Sequence, residues 1–413
     1  MSLDTLINIV NEKIDMNYEE LIIFIELIQN EEDFTKRFLL SNSVSENNAQ
    51  EIIGILKNLN LLNVKYLYEC KSESRDVAIT LDEKCIFCNA DITNGELHTI
   101  EELYNLKGSL MKELKERRSI EFEKVIDPMF HDHFKELKLK IEDIVPFIGS
   151  GISIPLGLPS WTGLISKMVT SLTDEDSREQ FEEYIKAGDI FSAIEVLQHY
   201  SLSYSTDEQI KDFIHKYIKA NFKNELDDNY HNVRDILNLE SDFFVTTNYD
   251  NALNQYKDKF SFPFILDDLK DLQEVLAEKN QRIIHLHGNV EKKETMIVTE
   301  KDYKTIYDDE KNKSVLSGLM SSKSFLFIGF SFTDKYFVDM YEFLRSHIGG
   351  RHYIILADLK MHKAKKLMAN GLIPIGIKVE SYQEKVEFSN VINDEYTQRY
   401  VNSLKKTLRY LIE

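Results

Sequence analysis

The rhythm of hydrophobic and polar positions changes near residue 125. Before it, residues 18–29 and 48–62 carry apolar side chains at helical spacing, with Ile52, Ile53, Ile55, Leu56 and Leu59 on one side of the second segment. Residues 64–67 and 77–81, separated by a polar turn, have the look of two paired strands. Helix, helix and hairpin in that order predict a winged-helix-like unit. Residues 101–124 are rich in both signs of charge and predict a long helix linking this unit to the rest.

From residue 143 onward short apolar runs alternate with amphipathic stretches. The runs at 144–148, 243–247, 282–287, 325–328, 353–357 and 372–377 predict strands. The stretches at 161–172, 177–187, 190–200, 207–221, 335–348 and 397–412 predict helices. Alternation of this kind predicts an α/β fold, a doubly wound, Rossmann-like parallel sheet covered on both faces. Four helices follow one another between 161 and 221 with no strand among them, so a helical insertion at about 161–222 is expected beside the sheet. None of the six prolines precedes Pro128. The expected division is therefore a mostly helical module at 1–125 and a nucleotide-binding domain at 126–413.

Charge narrows the function. The net charge of −20 over 413 residues repels phosphate backbones. The candidate recognition helix carries a single lysine, Lys57. These charges disfavour nucleic acid as a partner, and a packing or protein–protein role suits the N-terminal module better. No stretch approaches the roughly 20 apolar residues that span a bilayer. The acidic N-terminus lacks the pattern of a signal peptide, so a cytoplasmic location is expected. Three cysteines, Cys70, Cys85 and Cys88, cannot staple a chain of this length with disulfides. Cys85 and Cys88 have metal-ligand spacing, with Cys70 and His98 as a third and fourth ligand to be weighed against incidental thiols.

In a doubly wound sheet the ligand lies beyond the C-terminal ends of the strands. Four groups fall at such ends. Gly149, Ser150, Gly151, Ile152 and Ser153 follow the first run, where glycines permit close backbone approach to a phosphate and a following helix offers amides. A tight turn without a ligand accounts for this segment as well. Thr246, Thr247, Asn248, Tyr249 and Asp250 cluster more hydrogen-bonding groups than a helix cap needs. His285 and His287 should face one side by strand alternation. His287, followed by Gly288, should reach the crevice as a general base, whereas His285 reads as structural. Gly329, Phe330 and Ser331 end the fourth run and offer a close backbone approach and a hydroxyl.

Taken together, in this order, these groups resemble the sirtuin-related SIR2-like family. There a glycine-rich loop, a Thr-x-Asn-x-Asp segment, a His-Gly pair and a Gly-x-Ser turn surround NAD. The segments Leu158-Pro159-Ser160-Trp161 and Val298-Thr299-Glu300-Lys301-Asp302-Tyr303 look like the bacterial branch found in anti-phage defence. The resemblance covers residues 140–380. No cysteine follows Cys88, so the four-cysteine module of the deacetylase branch is absent, and Leu-Pro-Ser-Trp stands where that branch has an acidic-arginine segment.

The resemblance implies an NAD glycohydrolase, with NAD as substrate and no metal in the site. Asn248 and His287 would be catalytic. Gly149–Ser153, Thr247, Asp250, Gly329, Phe330 and Ser331 would hold the dinucleotide. It further implies a homo-oligomer restrained until a partner ATPase or a phage-derived activator releases it. The competing readings are a sensor that binds NAD or ADP-ribose without cleaving it, and an NAD-dependent deacetylase or ADP-ribosyltransferase.

Overall fold

The computed structural model describes residues 33–41, 44–71, 77–81, 83–257, 263–266, 281–321, 323–331, 351–381 and 394–412, with scattered positions between 6 and 28 and Tyr341, Glu342 and Arg345. The chain divides into two compact units, Met1–Glu121 and Phe122–Glu413.

In the first unit the helix Glu46–Asn58 starts on Ser45, whose hydroxyl accepts the Asn48 amide, and buries Ala49, Ile52, Ile53, Ile55 and Leu56. Three antiparallel strands follow: β1 (Leu62–Cys70) lies between β2 (Val77–Thr80) and β3 (His98–Leu106). Strand β3 corrects the expected helix over 101–124, which instead begins at Gly108 and runs to Val125. The physical reason is a period of two: Ile100 packs toward one cluster while Tyr104 and Leu106 enter another, and all nine residues pair with β1. Among the described residues of this helical unit, the hairpin expected at 64–81 thus gains a third strand. Lys57, the one cation of the supposed recognition helix, is paired with Glu102 at 2.6 Å. Most of the helix expected at 18–29 lies outside the described residues.

The second unit is built on seven parallel strands. The runs expected at 144–377 form β4 (Ile144–Ile148), β5 (Phe243–Thr246), β7 (Arg282–His285), β8 (Ser324–Ile328), β9 (His352–Ala357) and β10 (Leu372–Ile377), and a two-residue edge strand β6 (Phe264–Ile265) joins them. Their order is β10-β9-β8-β4-β5-β7-β6. The first strand, β4, sits in the middle; the chain moves outward through β5 and β7, then returns to the other side of β4 with β8. The reversal between β4 and β8 is the topological switch point, where a crevice opens at the C-terminal strand ends.

All five residues of β4 are buried, so its sequence reads as a continuous apolar run rather than an alternation. Phe147 packs edge-on against Phe325 and Phe327 and stacks on Phe330 at 5.4 Å. The helices of 161–221 form a core of their own from Leu164, Ile165, Met168, Phe181, Ile194, Leu197 and Ile214, closed by Tyr249, Val290 and Val298. The predicted helix over 161–172 is a short α-helix, Trp161–Ser166, continued by a 3₁₀ turn to Ser171. The helix expected at 335–348 lies mostly outside the described residues. No helix among the described residues is long and apolar enough to cross a membrane.

Truncating Phe147 to alanine is expected to cost about 3–5 kcal/mol of stability, because it removes a fully buried ring from the centre of the sheet. Truncating the exposed Leu139 should change it by about 0.5 kcal/mol or less. Urea unfolding followed by circular dichroism measures both.

Candidate active site

Two glycine turns meet at the switch point. The amides of Gly149 and Gly151 donate to the carbonyls of Ile328 and Gly329, each at 2.9 Å. A Cβ on Gly149 would stand 2.7 Å from the Gly329 carbonyl oxygen. Gly329 has a φ of 77°, and a Cβ there would meet Ile152 at 2.8 Å and the Gly149 carbonyl at 2.9 Å. The glycines are therefore required by the approach of the two loops to each other. The segment after Gly149 is a four-residue 3₁₀ turn, Ser150–Ser153, and not the start of an α-helix, so the expected helix amides are not presented. Gly149 and Ile152 do not line the crevice: Ile152 is buried in the core and Gly149 supports Asn248 with its carbonyl. Ser150, Gly151, Ser153, Gly329, Phe330 and Ser331 do line it.

The residues after β5 are locked to the first of these turns. Thr246 donates its hydroxyl to the Ile148 carbonyl at 3.0 Å and accepts the Asn248 amide at 3.0 Å. The Asn248 side-chain nitrogen donates to the Gly149 carbonyl and to Ser153 Oγ, both at 3.1 Å. Ser153 in turn donates to Asp250 Oδ2 at 2.8 Å, and the other Asp250 oxygen accepts the Ala252 amide at 3.0 Å. Both protons of the Asn248 amide nitrogen are committed, so its Oδ1 is the atom left for the cavity that Asn248 lines. Burial raises the Asp250 carboxyl pKa, against the lowering effect of these two donors.

The two histidines part company. Strand β7 ends at His285, so alternation does not extend to His287, which sits in the following turn. His285 is buried, bonding the Asn248 carbonyl through Nδ1 at 3.0 Å and facing Asn254 with Nε2 at 2.8 Å; it is a structural support of the Asn248 backbone. His287 lines the cavity between two tyrosines, with Nε2 at 2.8 Å from the Tyr307 hydroxyl and Nδ1 at 3.3 Å from that of Tyr303. Burial lowers its pKa to about 3, so the ring is neutral near pH 7. Gly288 has a φ of 78°, and a Cβ there would fall 2.1 Å from the Thr295 carbonyl oxygen, which accounts for the glycine after the histidine.

The helix Glu300–Asp308 delivers both tyrosines. Thr299 and Asp302 cap it reciprocally, and Lys211 from the helical insertion binds Asp302 at 2.9 Å. Neither tyrosine was identified from sequence as a partner of the histidine. The spacing of 303 and 307, one helical turn apart and thus on one face, was the available signal.

Asn248, Asp250, His287 and the two glycine turns surround a single cavity of about 1030 Å³, with Thr247 on its wall. This is at the upper end of ordinary ligand sites. Trp161 also lines it, with a buried indole nitrogen that has no hydrogen-bond partner among the described residues. A further wall, missed in the sequence, comes from the segment after β9 and the helix Met361–Ala369: Lys360, His362, Lys363 and Lys366; Tyr400 lines the cavity as well. Three lysines around one opening, in a chain of net charge −20, favour a ligand carrying negative charge.

Residues 242–375 match the model of the SIR2-like domain, and this stretch carries the Asn248 segment, His287 and Gly329–Ser331. That part of the chain is similar to the SIR2-like domain, and it lies on a Rossmann-like parallel sheet. Similar curated proteins include "NAD(+) hydrolase ThsA" of Enterococcus faecium, 24% identical over 46% of this chain and 37% of the relative. The proteins of the same name from Cytobacillus dafuensis and Bacillus cereus (strain MSX-D12) are each 24% identical as well, over 54% and 51% of this chain. The matched stretches span 42% and 41% of those two relatives, so this chain aligns with less than half of each relative's length.

Two outcomes follow from the buried network. Ser153→Ala removes the acceptor for Asn248 and the donor to a buried carboxylate, and should destabilise by about 1–3 kcal/mol in thermal unfolding. His285 and His287 have pKa values pushed by burial to about 4 and about 3, from an ordinary value of 6.5. The unfolded chain therefore binds more protons than the folded one below pH 6.5, and these groups make stability fall as pH drops from 6.5 toward 4. The slope of Tm against pH over that window should be shallower in His285→Gln than in the wild type.

Proposed function

We propose that the cavity binds NAD and that the protein hydrolyses its nicotinamide–ribose bond, giving ADP-ribose, nicotinamide and a proton. The single observation that carries this reading is the convergence of Asn248 and His287 on one cavity at the switch point of a SIR2-like domain. The relatives named as NAD(+) hydrolases support it.

In this reading the Ser150 and Ser331 side of the crevice, together with Lys360, Lys363 and Lys366, takes the pyrophosphate and adenosine half. The amides of Gly149 and Gly151, already bonded within the protein, contribute little. The scissile C–N bond breaks with its electron pair passing to the pyridinium ring, which leaves as neutral nicotinamide. Positive charge develops on the ribose, and Asn248 Oδ1, fixed by Gly149 and Ser153, places its dipole against that charge or orients the attacking water. Water forms the new bond to the anomeric carbon, and its proton passes to neutral His287, directly or through the Tyr303 hydroxyl. Tyr307, which does not line the cavity, holds the ring. Asp250 acts through Ser153 as a positioning residue.

The biological setting we infer is anti-phage defence, because the bacterial branch this chain resembles occurs there. Uncontrolled NAD loss would harm the host, so the activity would be restrained, by self-association or until a partner ATPase or phage component releases it.

Incubation of the protein with NAD, analysed by chromatography, should yield nicotinamide and ADP-ribose. Asn248→Ala and His287→Ala should each lower the rate on the order of a hundredfold or more. Tyr307→Phe should lose about 1 kcal/mol, on the order of fivefold. Binding of NAD without turnover under every activating condition would favour the sensor reading. Nicotinamide release only with an added peptide or nucleic-acid acceptor would favour group transfer.

A further inference from the structure

Far along the chain from the cavity residues, the N-terminal unit gathers all three cysteines of the protein and one histidine. Cys70 is the last residue of β1 and pairs directly with His98, the first residue of β3. Cys85 and Cys88 sit on a small turn closed by the Lys84–Asp91 bridge and by the Cys85 amide, which donates to the Ala90 carbonyl at 2.8 Å. Asn89 takes a φ of 59°, the left-handed conformation that turns the chain back after the second cysteine. One potential ligand atom from each of Cys70, Cys85, Cys88 and His98 lies within 4.8 Å of the others.

We propose that these four side chains hold one zinc ion in a closed Cys₃His site. Zinc bound by thiolates at about 2.3 Å and imidazole at about 2.0 Å places its ligands at tetrahedral edges of roughly 3.5–4 Å, so the cluster needs little contraction. His98 Nε2 is 3.3 Å from Cys88 Sγ. The amides of Phe87 and Cys88 point at Cys85 Sγ from 3.4 and 3.5 Å, an arrangement that stabilises a thiolate more than a neutral thiol. Cys70, Cys85 and His98 are each 2% exposed or less. Four protein ligands leave no open position, so the ion is structural.

The packing around the site supports this. Among the described residues, the local core has only Tyr68, Cys70, Cys85 and Ile92 as buried members. Such a core is too small to fix a turn and two strand ends, and a metal bond network does so where apolar burial cannot. The Tyr68 ring stands edge-on to His98 at 5.6 Å and its hydroxyl accepts the Ile86 amide at 2.9 Å, closing the apolar side of the cluster.

The test uses the full chain, purified under reducing conditions from zinc-supplemented cells with any tag removed. Elemental analysis should find one zinc per chain. Chelation followed by anaerobic cobalt addition should give a thiolate-to-cobalt charge-transfer band with tetrahedral d–d absorption. Cys88→Ser and His98→Ala should each lose most of the zinc and alter or abolish the cobalt spectrum, even if they remain folded. The proposal is overturned by wild-type protein that holds no metal and takes up no cobalt. It is equally overturned by full zinc retention in Cys85→Ser/Cys88→Ser, or by stoichiometric iron in place of zinc.

Discussion

The site depends on one buried chain of hydrogen bonds: Asp250 accepts from Ser153, Ser153 accepts from Asn248, and Asn248 also donates to the Gly149 carbonyl. These residues lie about a hundred positions apart in sequence, so the chain ties the end of β5 to the turn after β4. Inside the protein each link is stronger than in water, and each member left without its partner would be costly. The consequence for chemistry is orientational. An asparagine amide could present either end to a ligand, but here the nitrogen is held by Gly149 and Ser153, which leaves the oxygen for a ligand. A dipole that is fixed before the substrate arrives needs no reorganisation in the transition state.

The same economy governs the loops. Gly149 and Gly329 let two turns lie in direct backbone contact across the switch point, and the ring of Phe330 reaches back to stack on Phe147 in the sheet core. The walls of the cavity are thus extensions of the packed interior. His285 does for the backbone of Asn248 what Ser153 does for its side chain, and burial keeps both His285 and His287 uncharged.

Much of this architecture was legible because strands buried on both faces have a plain signature. Residues such as Ile144–Ile148 are continuous apolar runs, and their endings marked the crevice before any coordinates. What sequence could not supply was the purpose of particular residues. Gly149 and Ile152 stand inside a motif whose other members line the cavity, yet one serves as a carbonyl support and the other as core. The strand β3 was hidden because Glu101 and Glu102 lie among apolar residues at a spacing that also suits a charged helix. The lysines of the further wall sit at the start of and along a helix whose pattern is that of any solvated face; the fold brings Lys360, Lys363 and Lys366 to the opening.

The most direct test of the account is the structure of the Asn248→Ala or His287→Ala protein with NAD bound. The account predicts the dinucleotide across the strand ends at the β4–β8 reversal, with its pyrophosphate toward the lysine wall. The anomeric carbon of the nicotinamide ribose should lie between position 248 and the His287–Tyr303 pair, within reach of one water. NAD bound elsewhere, or in this cavity with its nicotinamide ribose turned away from both positions, would contradict it.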